Sequence, residues 1–142
     1  MKTFSEEHNQ IFLAAFMRKL QIKQRLFEFW HTPNGGGRSK SEAGKLKLMG
    51  VHAGVPDIII MTDKIIFIEI KKSNGKKSDQ QDSFIKAAEN HGHACYVIYA
   101  DTPNELIEKA KPIMAAIGYD QTVINEASKS ALSSIATASE KS

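Results

Sequence analysis

Residues 57–61 and 65–70 are short apolar runs holding seven isoleucines between them, joined by Thr62-Asp63-Lys64. β-branched side chains favour extended backbone, and a polar three-residue joint lets two such runs fold back on each other as a hairpin. A loop of that length pairs the strands symmetrically about Asp63. Ile60 then stands opposite Ile66, Ile58 opposite Ile68, and Asp57 opposite Glu69. Directly opposed residues share a face, with Cβ atoms about 4.5–5.5 Å apart. Lys71 lies two positions beyond Glu69 and points to that same face. Unless a bulge shifts the register, the hairpin gathers two carboxylates and an ammonium.

Two carboxylates that close repel, so one takes up a proton, moves away, or shares a cation. Oxygen ligands of this kind suit magnesium or manganese, with the Ile70 carbonyl as a further ligand. A cation held there polarises a phosphoryl oxygen and acidifies an attacking water, and Lys71 stabilises the developing charge. The alternative is structural: Asp57 is a turn residue after Pro56, and Glu69 and Lys71 form a surface ion pair on an edge strand. The run Ile65-Ile66-Phe67-Ile68-Glu69-Ile70 has the character of a central strand, where a carboxylate costs several kcal/mol unless paired or liganded. Spacing alone leaves both readings open.

The rest of the chain supplies helices around this hairpin. Helices are expected over 5–20, 39–49, 78–91 and 103–117. Further strands are expected over 24–31 and 94–99, and loops over 32–37 and 72–77. The order α-β-α-β-β-α-β-α describes an α/β fold with a mixed sheet flanked by helices. Residues 1–120 form the expected domain. Residues 121–142 are rich in Ala and Ser and are expected to be a frayed helix or disordered tail.

With 142 residues, 42% of them hydrophobic, the chain is long enough for one core. Its single cysteine, Cys95, excludes an internal disulfide and suits a reducing cytoplasm. No apolar run approaches the roughly 20 residues of a membrane span, and no leader pattern is evident at the start. The net charge is +3, with the positive charge clustered at Arg38, Lys40, Lys45 and Lys47 and again at Lys71, Lys72, Lys76 and Lys77. Such clusters suit a polyanion.

Pro56-Asp57 followed by Glu69-Ile70-Lys71 resembles the PD-(D/E)xK nuclease signature. With Asn34-Gly35-Gly36-Gly37-Arg38, Gly54-Val55-Pro56-Asp57, Ser78 and Gln81, the pattern from about Glu7 to Tyr99 resembles the virus-type replication-repair nuclease (VRR-NUC) family, in the stand-alone form of phages and bacteria. The resemblance implies a restriction-endonuclease-like core and a magnesium- or manganese-dependent DNA endonuclease. Asp57, Glu69 and the Ile70 carbonyl would hold the metal, Lys71 would be the catalytic lysine, and Gln81 would face the active centre. Glu7, with Gln10 after it, matches the helical acidic residue that completes such sites, and Glu6 is its rival. Stand-alone members imply a homodimer acting on branched DNA such as four-way junctions.

The glycine run with Arg38 either approaches a phosphate or is a plain loop. Without a GK[ST] ending it implies no nucleotide cofactor. Lys40, Lys45 and Lys47, with Asn34 and Lys72, are candidate DNA contacts, the alternative being a solvated helix face. Cys95 is expected in the core on a central strand, and Trp30 in core or dimer packing. The rivals to a junction nuclease are a nickase or restriction-like enzyme and, in another class, a DNA-binding module without chemistry.

Overall fold

Serine and threonine hydroxyls open four of the helices. Ser5, Ser39, Ser78 and Thr102 each accept a hydrogen bond from the backbone N–H three residues on, satisfying donors that a helix start leaves free. The computed structural model describes residues 4–33 and 39–141, with side chains through 133. In chain order the elements are α1 (Glu6–Lys23), β1 (Glu28–His31), α2 (Lys40–Leu48), β2 (Ile58–Met61), β3 (Ile65–Lys71), α3 (Asp79–Asn90), β4 (Ala94–Tyr99), α4 (Pro103–Ile117) and α5 (Gln121–Lys141). The strands form one mixed sheet in the order β1-β2-β3-β4. The α/β class expected from the sequence is the class observed. Among the described residues no helix is long and apolar enough to cross a membrane.

The fold divides into two compact units. The first comprises Met1–Glu28, Ile70–Gly75 and Val97–Ser142. Its core comes from helix faces at three- and four-residue spacing. α1 buries Phe12, Leu13, Phe16, Met17 and Leu20, and α4 buries Leu106, Ile107, Ala110, Ile113 and Met114. Both pack against each other and against α5, which buries Ile124, Ala127, Ser128 and Ala131. Residues 121–133, expected in a frayed helix or disordered tail, thus include a packed face. Its Ala and Ser residues admit a close helix approach that the scarcity of large apolar side chains had concealed.

The expected strand over 24–31 is shorter than its composition suggests, and only Glu28–His31 is extended in the sheet. Side chains of the first unit satisfy the preceding backbone instead. Tyr119 Oη donates to the Gln24 carbonyl and accepts from Leu26 N at 3.2 Å, and Gln21 Nε2 donates to the Phe27 carbonyl at 3.0 Å.

The second unit comprises Phe29–Glu69 and Lys76–Tyr96. β2 and β3 pair antiparallel with Ile58 opposite Ile68 and Ile60 opposite Ile66, the register that a symmetric loop about Asp63 requires. Thr62 tightens that loop, its hydroxyl donating to the Lys64 carbonyl and accepting from Lys64 N. Phe84 of α3 meets Phe67 of β3 edge-on with ring centroids 5.0 Å apart. Trp30 is 44% exposed, so it lies outside the core of the chain, and Cys95 lies on an edge strand of the described sheet rather than a central one.

Candidate active site

Extending the hairpin register by one position beyond Ile58 and Ile68 sets Asp57 opposite Glu69. Glu69 is only 5% exposed and lies between buried Ile68 and Ile70, so β3 is covered on both faces at this point. Asp57 is half-buried, and Pro56 before it is buried. The Asp57 carbonyl accepts from Thr32 N at 2.9 Å and from His31 Nδ1 at 2.8 Å, which fixes its backbone beside β1. The loop leading to it is held from the other side. Gly54 has φ +88°, and a Cβ there would stand 2.3 Å from the Gln80 carbonyl oxygen and 2.9 Å from Gln81 N. Only glycine permits both that conformation and that approach. The start of α3 and the loop before Asp57 are therefore locked backbone to backbone.

Gln81 sits at this contact. It forms a capping box with Ser78: its N–H donates to Ser78 Oγ at 3.1 Å, and its Oε1 accepts from Ser78 N at 2.8 Å. The sequence pattern that marked Gln81 as facing an active centre thus also caps a helix. The cap uses its amide oxygen and leaves the amide nitrogen as a donor.

β3 continues past Glu69 through buried Ile70 to half-buried Lys71. The end of this strand is anchored within the first unit. The Lys71 carbonyl accepts from Ala100 N at 2.9 Å, and Lys72 N donates to Glu6 Oε1 at 3.2 Å. Lys72 Nζ donates to the Phe4 carbonyl and pairs with Asp101 at 3.7 Å. Asp101 also accepts from Ser73 N at 3.1 Å. Hydrogen bonds from Ser73, helped by the nearby Lys72 charge, hold the Asp101 carboxyl below the usual carboxylate range.

These contacts place Lys72 and Glu6, two of the expected site residues. Lys72, expected at DNA, spends its ammonium on Phe4 and Asp101. Glu6 is tied to the strand that carries the lysine, and both it and Glu7 are exposed on α1. Asn9 and Asp101 do not stand out in the sequence as site residues. Yet Asn9 occupies a core position on the face that carries Phe12, Leu13 and Phe16. It is fully buried, donates to the Ala100 carbonyl at 3.4 Å, and leaves its Oδ1 without a partner among the described residues. A polar residue at an apolar position of a periodic face was the available signal.

Lys40, Lys45 and Lys47 are exposed on α2. Asn34, the glycine run and Arg38 lie outside the described residues. Cys95 is half-buried, and burial, aided by the charge of Glu89, pushes its thiol up to about 11, which suits packing rather than nucleophilic chemistry.

A divalent cation fits the donor set at the hairpin. Asp57 and Glu69 offer hard oxygen ligands at opposed positions, and the Ile70 carbonyl follows directly. Among the described residues no three His, Cys, Asp or Glu side chains cluster as a ready ligand cage. A site of two carboxylates, a carbonyl and water is how magnesium commonly binds, since it keeps several of its waters.

The family model described as VRR-NUC domain matches residues 8–102. No curated protein matches the chain. A solved structure described as a VRR_NUC domain protein is similar, with a TM-score of 0.57 and 25% identity over 81% of this chain and 92% of that one.

Proposed function

The chain belongs to the VRR-NUC domain family, and from that premise we propose that it is a magnesium- or manganese-dependent DNA endonuclease, selective for branched DNA such as four-way junctions and acting as a homodimer. The observation that carries this reading is the opposed pair Asp57 and Glu69 on the hairpin, with Glu69 buried and Lys71 two residues on along the same strand.

Asp57, Glu69 and the Ile70 carbonyl hold the cation in this reading. When bound, it neutralises phosphoryl oxygen charge and lowers the pKa of a water. Lys71 stabilises the additional negative charge on the phosphate as water attacks, the part played by fixed cationic donors elsewhere. The Thr32 and His31 contacts and the Gly54 approach keep Asp57 in place, so that little reorganisation accompanies reaction. The exposed lysines of α2 supply phosphate contacts that give affinity without reading sequence. Two such sites related by a two-fold axis suit the two-fold symmetry of a four-way junction. A cytoplasmic location, in a bacterial or phage-infected cell, accords with this substrate.

Cleavage of end-labelled four-way junction, linear duplex, single-stranded and flap DNA tests the proposal, with magnesium, manganese or EDTA. Paired symmetric nicks in the junction, seen with either metal and absent in EDTA, are expected. Metal-dependent cutting that favours another substrate would remove the junction preference. Folded protein that cuts none of them would remove the nuclease reading.

A further inference from the structure

α2 is the one described helix without a buried residue. It has nine residues, a glycine at its middle, Gly44, and no side chain in the core. Helices this short are marginal in water without packing. Leu46 alone is half-buried; Lys40, Gly44, Lys47 and Leu48 follow the i, i+4, i+7, i+8 spacing of a single outward face. At and just beyond its C-terminal end the chain exposes large apolar side chains: Leu48 is 91% exposed, Met49 71% and Val51 43%. Lys40, Lys45 and Lys47 form no ion pair with the described residues, and Glu42 is the helix's single acidic side chain.

We infer that α2 is a docking element for branched DNA, in which Lys40, Lys45 and Lys47 hold phosphates while Leu48 and Met49 lean against unstacked bases at the branch. The inference deepens the proposed nuclease reading and rests on it for DNA as the substrate. Charge chooses the occupant. A second copy set on this face by a two-fold axis would gather the lysines of both copies about one contact, with Glu42 as the helix's single acidic side chain to offset them, whereas a polyanion is complementary to them. The apolar tip chooses the feature of the DNA. A continuous duplex offers stacked bases to a groove ligand, while a branch point exposes base planes, and apolar wedges bind where stacking is already broken at the least cost. α2 lies in the same unit as Asp57 and Glu69.

The test is binding in EDTA, where no cutting occurs. The probes are a four-way junction and a linear duplex, each carrying 2-aminopurine, at the branch point in the first. Wild-type protein is expected to brighten the junction probe and to bind it more tightly than duplex. The Leu48→Ser/Met49→Ser variant is expected to lose the brightening and about tenfold of junction affinity while binding duplex as before. Both substitutions are at exposed positions, and an unchanged melting temperature verifies the fold. Replacing Lys40, Lys45 and Lys47 by Gln is expected to reduce the slope of log affinity against log salt by about two to three on both DNAs. Unchanged junction affinity and fluorescence in the Leu48→Ser/Met49→Ser variant would overturn the inference, as would a wild-type dimer that this variant dissociates. Junction brightening without cutting in magnesium would remove the nuclease reading alone. Cutting without brightening would remove this inference alone.

Discussion

Glu69 and Cys95 show how burial, and Glu6 and Glu7 how local partners, set what a side chain is used for. Glu69 was legible as a candidate site residue because an acidic side chain inside an isoleucine-rich strand needs a reason, and the three-residue loop set Asp57 opposite it by symmetry. The two glutamates of α1 were not separable by sequence, since both fall in the first turn. Both are exposed, and the structure separates them by partner: Glu6 accepts from Lys72 N. Glu6→Gln keeps an acceptor and is expected to leave both stability and cutting near wild type. Glu7→Gln is expected to lower single-turnover cutting by about 10–100-fold, the effect typical of supporting groups around a metal. Cys95 offers a separate check on pH. With its thiol at about 11, its thiolate fraction at pH 8 is roughly two hundredfold below that of a free thiol. Labelling by a disulfide reagent at pH 8 should be slow to a similar degree and should accelerate as pH rises towards 11. The sign for stability is the opposite: a raised thiol pKa means that stability falls as pH climbs above the unfolded value of about 8.5.

Among the elements, the hairpin and the capped helices follow local rules and were legible within a residue or two, except that α1 runs three residues past the expected end at Leu20. The β2–β3 register follows from loop length alone. The segment from Gln24 to Phe27 was misread as strand because its backbone partner is Tyr119, 95 residues beyond Gln24, and no local pattern announces so distant a bond. The Lys72–Asp101 tie was hidden for the same reason. Gly54 joins two elements by backbone contact, and Gly54→Ala is expected to destabilise the protein by about 1–3 kcal/mol from its positive φ alone, with a further loss from the close approach to Gln80. Urea unfolding measures the first effect. A fall in cutting at temperatures where the variant stays folded would report displacement of Asp57. Asp101 gives the anchor of β3 an acid dependence: its lowered carboxyl pKa means that its contribution is present above the unfolded value of about 3.9 and is lost as pH falls below it.

For the molecule as a whole, the α/β class and the hairpin were visible from the pattern of isoleucines and caps, while the role of the last segment was not. α5 buries Ile124 completely and places Ala127, Ser128 and Ala131 in the core of the first unit, so small residues carry a helix contact that composition suggested was absent. Ile124→Ala is expected to cost about 2–5 kcal/mol in urea unfolding, and a cost near zero would mean that α5 contributes nothing to this core. Whether the hairpin is a metal-dependent active centre decides the proposed function. The most direct measurement is manganese binding by titration calorimetry beside single-turnover DNA cutting, in wild type and in a folded Glu69→Gln variant with DNA binding as the control. The expected result is that wild type binds manganese and cuts, whereas the variant loses more than a hundredfold in both and still binds DNA. A Glu69→Gln protein that cuts like wild type would contradict the assignment of this hairpin to catalysis.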